Sequence, residues 1–336
     1  MAGRDGIDRR DAMKVAMAGL AIGGLYHTQA QAQDEAHDGA EGTMERDEAP
    51  LAPGWRTVVI GEAKVTQVLD GVRQGDGPHP IFGENREAGE VEALMEANGL
   101  PANRFVNFFQ PTIVEIGSDI VLVDTGFGAE GRANGQGLLV PRLRAAGYEP
   151  EDITTVFLTH YHGDHIAGLS ENGSPTFPNA ELVAGRVEHE FWTSDAARSG
   201  PASGNAEAVA AKVLPLEEGM RLLDDGEEVV PGLTARAAFG HTPGMMMLEL
   251  VSGEGRLFLT ADVFGQFVVS LQRPDWHVRF DMDKEAAAAT RRRVAAMLAA
   301  EGASFAGYHL PFPAIGTVAE DGEGYRFVPE SYRLLL

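Results

Sequence analysis

The stretch LTHYHGDHIAGL, from Leu158 to Leu169, holds three of the ten histidines of the chain within six residues. An aspartate directly precedes the third histidine, and a run typical of a buried strand leads into the stretch. Because alternate side chains of an extended or tightly turning segment point the same way, His160 and His162 can bind one metal ion from one side. Asp164 and His165 lie beyond a glycine turn and can face a second ion. The stretch therefore predicts a metal site rather than a solvated loop.

Three further residues of ligand type stand where predicted strands end. His241 follows the strand LTARAAF, Asp262 ends the strand LFLTADVF, and His309 ends another strand within GYHLPFP. A single histidine is more often structural than metal-binding, but three such residues at strand ends, together with the cluster at 160–165, favour one site. The chain has no cysteine, so imidazole and carboxylate must supply every ligand.

Short apolar runs alternate with turns from Trp55 onwards. RTVVI, DITTVFLTH and MMMLELV predict strands, and DKEAAAATRRRVAAMLAAEG predicts the clearest helix, with an acidic start and a glycine at its end. AKVTQVLDGV is predicted as one strand, and FVNFFQPTIVEI as the first arm of a hairpin. Each half of the chain is rich in strands first and helical afterwards. This pattern predicts an α/β (α+β) fold in which two sheets pack face to face with helices outside.

Together, HYHGDH, GHTPG, the aspartate of TAD and the histidine of GYH resemble the motifs of the metallo-β-lactamase superfamily. The similarity runs from about Thr57 to the end of the chain. It implies a four-layer αββα sandwich with the site at one edge of both sheets. It also implies how the ligands divide. The first metal ion takes His160, His162 and His241, the second takes Asp164, His165 and His309, and Asp262 bridges both.

Asp262 distinguishes between branches of this superfamily. True zinc β-lactamases generally lack a bridging aspartate at this point, whereas two-metal hydrolases of lactones, thioesters and phosphoesters have it. The segment DMDKEAAAATRRRVAAMLAAEGASFAGYHLPFPAIG is most similar to the methyl parathion hydrolase and lactonase-like branch. The resemblance also implies that Asp124, in VDTG, orients a histidine ligand and holds its tautomer.

The resemblance implies a dinuclear metal-dependent hydrolase that cleaves lactones, carboxylic esters or organophosphate triesters. Two divalent cations roughly 3.5–4 Å apart can share a water and lower its pKa towards about 7, which yields a bridging hydroxide as the nucleophile. Asp164 is the expected catalytic residue, since it can hold this hydroxide and carry its proton to the leaving group. The ligand chemistry favours zinc, with iron, manganese or cobalt as alternatives.

Other functions stay open at this stage. A mononuclear iron persulfide dioxygenase shares the fold and would leave the second site empty, and a β-lactam hydrolase is a further alternative. The expected partner is a small-molecule ester, lactone or phosphotriester. The formal net charge of −23 makes a nucleic-acid partner unfavourable. The oligomeric state is open, with a homodimer among the alternatives.

Aromatic residues near the ligands in sequence predict the wall of a substrate pocket. Phe191 and Trp192 follow VEHE, Phe264 follows the bridging aspartate, and Phe312 lies just past the last histidine. Phe108, Phe109 and Phe127 are further candidates, and core packing is the alternative role for all of these rings. The three arginines at 291–293 are predicted on the long helix as a solvated face or in ion pairs.

The N-terminus is expected to lie outside the fold. Residues 1–32 combine an arginine pair, a short apolar run and a small-x-small cleavage pattern, which resembles a twin-arginine export signal. Residues 33–54 are acidic and aperiodic, which predicts a disordered spacer, and 55–336 form the hydrolase domain. The mature protein is therefore expected to be periplasmic or secreted, by the twin-arginine route or, as the alternative, by the general secretory route, without a membrane span.

Overall fold

The computed structural model of the protein describes residues 53–332. The predicted export signal at 1–32, and the predicted spacer at 33–54 except for its last two residues, lie outside the described part of the chain. The strands are β1 (Trp55–Ile60), β2 (Ala63–Val68), β3 (Gly71–Asp76), β4 (Arg104–Phe109), β5 (Thr112–Ile116), β6 (Asp119–Val123), β7 (Thr155–Leu158), β8 (Ser170–Glu171), β9 (Ser174–Pro175), β10 (Glu181–Gly185), β11 (Arg221–Leu223), β12 (Glu228–Val230), β13 (Leu233–Ala237), β14 (Met246–Ser252), β15 (Gly255–Leu259), β16 (Ser304–Ala306), β17 (Ile315–Asp321) and β18 (Gly324–Pro329).

Nine α-helices lie between these strands in the described part. They are α1 (Ala88–Ala97), α2 (Gly128–Gly131), α3 (Leu139–Ala145), α4 (Gly163–Ile166), α5 (Arg186–Thr193), α6 (Asp195–Ser199), α7 (Ser203–Lys212), α8 (Val269–Gln272) and α9 (Lys284–Glu301). Short 3₁₀ turns occur at Arg132–Asn134, Pro150–Asp152, Ala167–Leu169, Leu214–Leu216, Ala261–Val263 and Glu330–Tyr332.

Two seven-stranded sheets form the centre of the fold. The first has the order β1-β2-β5-β6-β7-β10-β11, and the second has the order β12-β13-β14-β15-β16-β17-β18. Val114 and Phe157 of the first sheet and Leu248 and Leu257 of the second lie in one buried cluster. The two sheets therefore pack face to face through apolar side chains.

Helices cover the outer face of each sheet. Because side chains alternate along a strand, Phe157 of β7 points to the centre while Val156 and Leu158 point outwards, where they pack in the cluster that includes Leu143 of α3. On the second sheet, Phe258 packs outwards with apolar residues of α9. The predicted four-layer αββα sandwich is confirmed.

Helix α9 is the clearest helix of the sequence and also of the structure. The Asp283 carboxylate accepts a hydrogen bond from the Ala286 backbone N–H and so caps the first turn. The helix ends at Gly302, whose left-handed φ of 58° is easily reached only without a side chain. It has 18 residues, and no helix in the described part is both long and apolar enough to cross a bilayer.

Two predicted strands are each divided in the structure. AKVTQVLDGV forms β2 and β3, and FVNFFQPTIVEI forms β4 and β5. Buried Asp70 breaks the first run, because its carboxylate accepts hydrogen bonds from the backbone N–H groups of Phe127, Gly137 and Leu139. Pro111, which has no N–H to donate, stands at the second break. The released strands β3 and β4 pair as a separate two-stranded ribbon, which we call the β3–β4 ribbon.

Candidate metal centre

The seven predicted ligands converge at one end of the sandwich. Strand β7 ends at Leu158 and leads into the loop and short helix α4, which carry the 160–165 cluster. His241 lies in the loop after β13, Asp262 in the turn after β15, and His309 in the loop after β16. Five of the seven are buried, whereas His162 and Asp164 are partly exposed, with 21% exposure for the Asp164 side chain.

The first ligand group consists of three imidazoles. His162 Nδ1 lies 3.1 Å from His160 Nε2 and 2.9 Å from His241 Nε2. These nitrogen atoms surround a small space and belong to one group of donors that can hold a metal ion. The structure thus brings His241, 79 residues away along the chain, to the histidines of the opening stretch.

The second ligand group consists of a carboxylate and two imidazoles. Asp164 Oδ2 lies 3.6 Å from His165 Nε2 and 3.6 Å from His309 Nε2. These three atoms also form a group that can hold a metal ion. Asp164 and His165 lie in α4. His309 lies much later in the chain, in the loop after β16 of the second sheet.

Asp262 lies between the two groups. Its Oδ2 atom is 3.2 Å from His241 Nε2 and 3.0 Å from His309 Nε2, and its Oδ1 atom is 3.3 Å from His165 Nε2. One carboxylate therefore contacts ligands of both groups. Ala261, directly before it, has a left-handed φ of 46°, and such strain in a non-glycine residue is typical of functional sites.

The residues fit a pair of divalent cations. A tetrahedral ion with bonds of about 2.0–2.1 Å holds its ligand atoms roughly 3.3 Å apart, and the separations above lie close to this value. His165 Nε2 and Asp262 Oδ1 are buried atoms that have no hydrogen-bond partner among the described residues. A buried polar atom without a partner is costly, and a bound cation would remove that cost at both atoms.

Most ligand histidines are fixed through their second ring nitrogen. Nδ1 of His160 contacts the Thr159 hydroxyl at 3.1 Å, and Nδ1 of His309 contacts the Phe108 carbonyl at 2.7 Å. Nδ1 of His165 lies 2.8 Å from Asp124 Oδ2. Such contacts set which nitrogen carries the proton and leave the other one free for a metal ion. Asp124 therefore lies within hydrogen-bond distance of a histidine ligand, as the role implied by the family resemblance requires.

Burial and neighbouring carboxylates set the charge of the first group. Burial and the adjacent His241 lower the pKa of His162 to about 3. Burial also opposes charge on His241, but hydrogen bonds to Asp262 and Asp281 outweigh it and raise its pKa to about 9. A cation must displace the His241 proton, so metal binding should weaken as the pH falls.

An open cavity of about 340 Å³ lies against the ligands. Its wall is largely apolar, and a single exposed guanidinium, that of Arg73, stands over the rings of Phe109 and Phe127. The lining residues away from the ligands include Ile81, Phe82, Phe105, Asn107, Phe109, Phe127, Val278 and Phe280. The β3–β4 ribbon supplies Phe105, Asn107 and Phe109 of this wall.

The predicted pocket wall differs from the wall that the structure forms. Phe264 is buried in the core on the outer side of the second sheet. Trp192 is buried in the core on the outer side of the first sheet, with Phe191 packed against it, and Phe312 is partly exposed away from the cavity. Closeness in sequence was misleading, because Phe264 and Trp192 pack into the two outer cores and Phe312 is not among the described residues of the wall. Of the further candidates, Phe109 and Phe127 line the cavity, and Phe108 is not among its described lining residues.

A buried ion pair next to His241 was not predicted from the sequence. Asp281 Oδ1 lies 2.9 Å from His241 Nδ1, and Asp281 Oδ2 accepts two hydrogen bonds from Arg291. Both alternatives predicted for the three arginines of α9 occur: Arg291 is 1% exposed and forms an ion pair, whereas Arg292 and Arg293 are exposed. Helical spacing carried a signal, because Arg291 falls in the buried stripe of Ala287, Val294 and Leu298.

The fold and the ligand set agree with the family comparison. The family model described as "Metallo-beta-lactamase superfamily" matches residues 111–301, which is more than half of the chain. The chain belongs to the metallo-β-lactamase superfamily.

Curated relatives include lactonases. An N-acyl homoserine lactonase from a Bacillus species is 30% identical over 161 residues, which cover 42% of this chain and 58% of the relative. The N-acyl homoserine lactonase AiiA of Bacillus thuringiensis subsp. kurstaki is 29% identical over the same coverage. The chain thus spans a little more than half the length of the curated relatives it matches.

Solved structures resemble the chain over more of its length. AidC, described as a dizinc quorum-quenching lactonase in complex with a hexanoyl homoserine product, is 25% identical with a TM-score of 0.74, covering 82% of this chain and 97% of AidC. AbOPH, a hydrolase in the β-lactamase superfamily, is 26% identical with a TM-score of 0.75, covering 83% of this chain and 98% of AbOPH.

Proposed function

We propose that the protein is a hydrolase that uses two divalent cations, with zinc favoured, to cleave lactones and related esters. The observation that carries the proposal is the position of Asp262, which contacts ligands of both groups beside an apolar cavity. A mononuclear oxygenase would not need a carboxylate that reaches the second group. The relatives described as lactonases support the same reaction class.

The cations would be held by the residues already grouped, with Asp262 shared between them. When bound, such ions polarise a substrate carbonyl and lower the pKa of a water molecule. The protein's own contribution to proton transfer is Asp164, since it lines the cavity and is the most exposed carboxylate of the site. No tyrosine is among the described residues of the cavity wall, and the Tyr308 hydroxyl donates instead to the Asp164 backbone carbonyl. Asp164 is therefore the group placed to pass a proton to the leaving oxygen.

The cavity favours a substrate with an uncharged, apolar portion. Phe82 and Phe105 meet edge to face at 5.5 Å between ring centroids, and Phe280 stands at the opening with 55% of its surface exposed. Aromatic side chains of this kind bind acyl or aryl groups through buried apolar surface. N-acyl homoserine lactones are the first substrates to test, with aryl esters and phosphotriesters as further arms.

Removing the metal tests the proposal directly. Protein treated with a chelator is expected to lose at least roughly 100-fold in kcat/KM, because a cation contributes several kcal/mol of transition-state stabilisation. Two equivalents of zinc or cobalt per chain should restore the activity, with metal content measured by elemental analysis. A protein that holds two ions yet cleaves no lactone, ester or triester would contradict the proposal. One iron per chain with oxygen uptake would favour the dioxygenase instead.

The apolar wall should determine the preference for acyl length. Replacing Phe280 with alanine removes an exposed ring at the cavity and should lower kcat/KM for a long-chain lactone by about tenfold, which corresponds to about 1.4 kcal/mol of lost apolar contact. A short-chain lactone should be nearly unaffected. Phe239→Ala is the matched control, because Phe239 is also exposed but does not line the cavity. Equal effects of the two substitutions would place the acyl chain elsewhere.

A further inference from the structure

Two ligand histidines each contact a carboxylate through the ring nitrogen Nδ1, and these two histidines belong to different ligand groups. Asp124 contacts His165 of the second group at 2.8 Å, and Asp281 contacts His241 of the first group at 2.9 Å. The atoms behind His160 and His309 are neutral oxygens. The family resemblance implied that Asp124 orients a histidine ligand, but no role was predicted for Asp281.

We infer that Asp281, held by Arg291, is the positioning residue of the first ligand group, so that each cation is controlled through its own carboxylate–histidine pair. The inference rests on the proposed function, because it assigns a role to a residue behind the proposed metal ligands. Asp281 would act on the first cation through His241; it also lines the cavity, but its side-chain hydrogen bonds described above are to His241 and Arg291.

All three nitrogen atoms of the Arg291 guanidinium donate hydrogen bonds to Asp281 or to its loop. Nη1 and Nη2 each donate to Asp281 Oδ2 at 3.1 Å. Nε donates to the Pro274 carbonyl at 3.1 Å, and Nη2 also donates to the Trp276 carbonyl at 3.2 Å. Asp281 is itself only 3% exposed. The carboxylate can therefore present its other oxygen to His241 in one orientation only.

The backbone fixes the same alignment. The Met282 N–H donates to the His241 carbonyl, and the Asp283 N–H donates to the Gly240 carbonyl, each at 2.9 Å. The loop that carries Asp281 thus runs beside the loop that carries His241. The imidazole is held at its backbone and at Nδ1, which leaves Nε2 directed at the first group.

Asp281 is a charge-paired acceptor. The Arg291 guanidinium, which carries a positive charge at all physiological pH values, faces the carboxylate at 3.1 Å, so the group behind His241 differs from the neutral oxygens behind His160 and His309. A charged acceptor increases the basicity of the imidazole more than a carbonyl does, and loss of such an acceptor typically weakens metal binding by about 10–100-fold. If the Asp281–Arg291 pair served only to anchor the loop, its loss would change the stability of the protein without changing its metal affinity.

The test measures metal affinity, not only activity. In full-length protein, zinc and cobalt affinities are measured by competition with a chromophoric chelator for Asp281→Asn, Asp124→Asn and the wild type. We expect Asp281→Asn to weaken one of two sites by about 10–100-fold and to leave the other nearly unchanged. Arg292→Gln is the matched control, because Arg292 is the exposed neighbour of Arg291 on α9; it should weaken neither site.

A second background identifies the affected ion. His309→Ala removes a ligand of the second group, so the ion that remains is held by the first group. In this background Asp281→Asn should still weaken binding by about 10–100-fold, whereas Asp124→Asn should have little effect. If Asp281→Asn does not fold, Arg291→Lys replaces it, since lysine keeps the charge but cannot make all four hydrogen bonds. We then expect a weakening of about tenfold.

The outcomes separate the two proposals. If Asp281→Asn folds and binds both ions as tightly as Arg292→Gln does, the inference is overturned. If Arg291→Lys is used instead, a folded variant with unweakened metal binding overturns it in the same way. If the wild type binds fewer than two ions, the proposed function fails instead. If the wild type binds two ions without hydrolysing the substrate panel, the proposed function fails while the role of Asp281 in metal affinity can still be read.

Discussion

Replacing Asp262 with asparagine is expected to lower kcat on a lactone or aryl ester by roughly 10³-fold, since loss of a correctly held cation removes several kcal/mol of transition-state stabilisation. Asparagine keeps the shape of the side chain but loses its charge and one acceptor oxygen. The contacts of the two carboxylate oxygens with His165, His241 and His309 show that both oxygens are in use. The amide can serve one ligand group but not both.

The measurement combines steady-state kinetics with elemental analysis of the purified variant. We expect Asp262→Asn to retain at most one tightly bound ion per chain. Asp224→Asn is the control, because Asp224 is an exposed partner of Arg186 on the protein surface and should leave metal content and kcat unchanged. An Asp262→Asn protein with two ions and nearly full activity would show that Asp262 does not bridge the two groups.

The ligands could be predicted from sequence because each is marked by its own local pattern. The cluster at 160–165 follows a run of buried-strand type, and His241, Asp262 and His309 each follow a strand. The ends of neighbouring strands meet at one edge of a sandwich, so residues distant in sequence become neighbours there. The layer order was predictable for a similar reason, because the apolar runs show which segments are buried on both faces.

Most of the cavity wall could not be predicted in this way. Its rings come from the β3–β4 ribbon, from the loops that contain Phe82 and Phe127, and from the loop that contains Phe280, and none of these is adjacent to a metal ligand in sequence. The ribbon exists only because Asp70 and Pro111 interrupt longer apolar runs. Period-two alternation does not reveal such an interruption, since a buried acidic residue is recognised only once its backbone partners at 127–139 are known.

Buried charged residues behind the site were equally difficult to predict. Asp281 resembles an ordinary residue before a helix cap, and Glu188 resembles a solvent-facing glutamate in the first turn of α5. Most of their partners lie at least 27 residues away in sequence, so only the folded structure identifies them. Arg291 is the exception, because its position in the apolar stripe of α9 already requires a buried acceptor.

Glu188 leads to the largest expected loss of stability. This fully buried carboxylate accepts four hydrogen bonds: Oε1 from the Tyr161 backbone N–H at 2.9 Å and from Trp192 Nε1 at 2.7 Å, and Oε2 from the Thr242 hydroxyl at 2.7 Å and from the Gly244 backbone N–H at 2.9 Å. It therefore joins α5 to both loops that carry the first ligand group. A side chain at Gly244 would collide with the Glu188 backbone, so the loop approaches α5 closely at that point.

Glu188→Gln is expected to lower the free energy of unfolding by about 3 kcal/mol, because the new amide NH₂ faces two donors and leaves the Gly244 N–H without an acceptor. Urea denaturation of the metal-loaded protein measures the change. Glu190→Gln provides the matched control, since Glu190 is exposed on the same helix and its substitution should change the free energy by less than about 0.5 kcal/mol. Equal stability of the two variants would mean that α5 does not hold the ligand loops. A large loss in Glu188→Gln, together with weaker metal binding, would show that the geometry of the first ligand group depends on a residue that touches no ligand side chain.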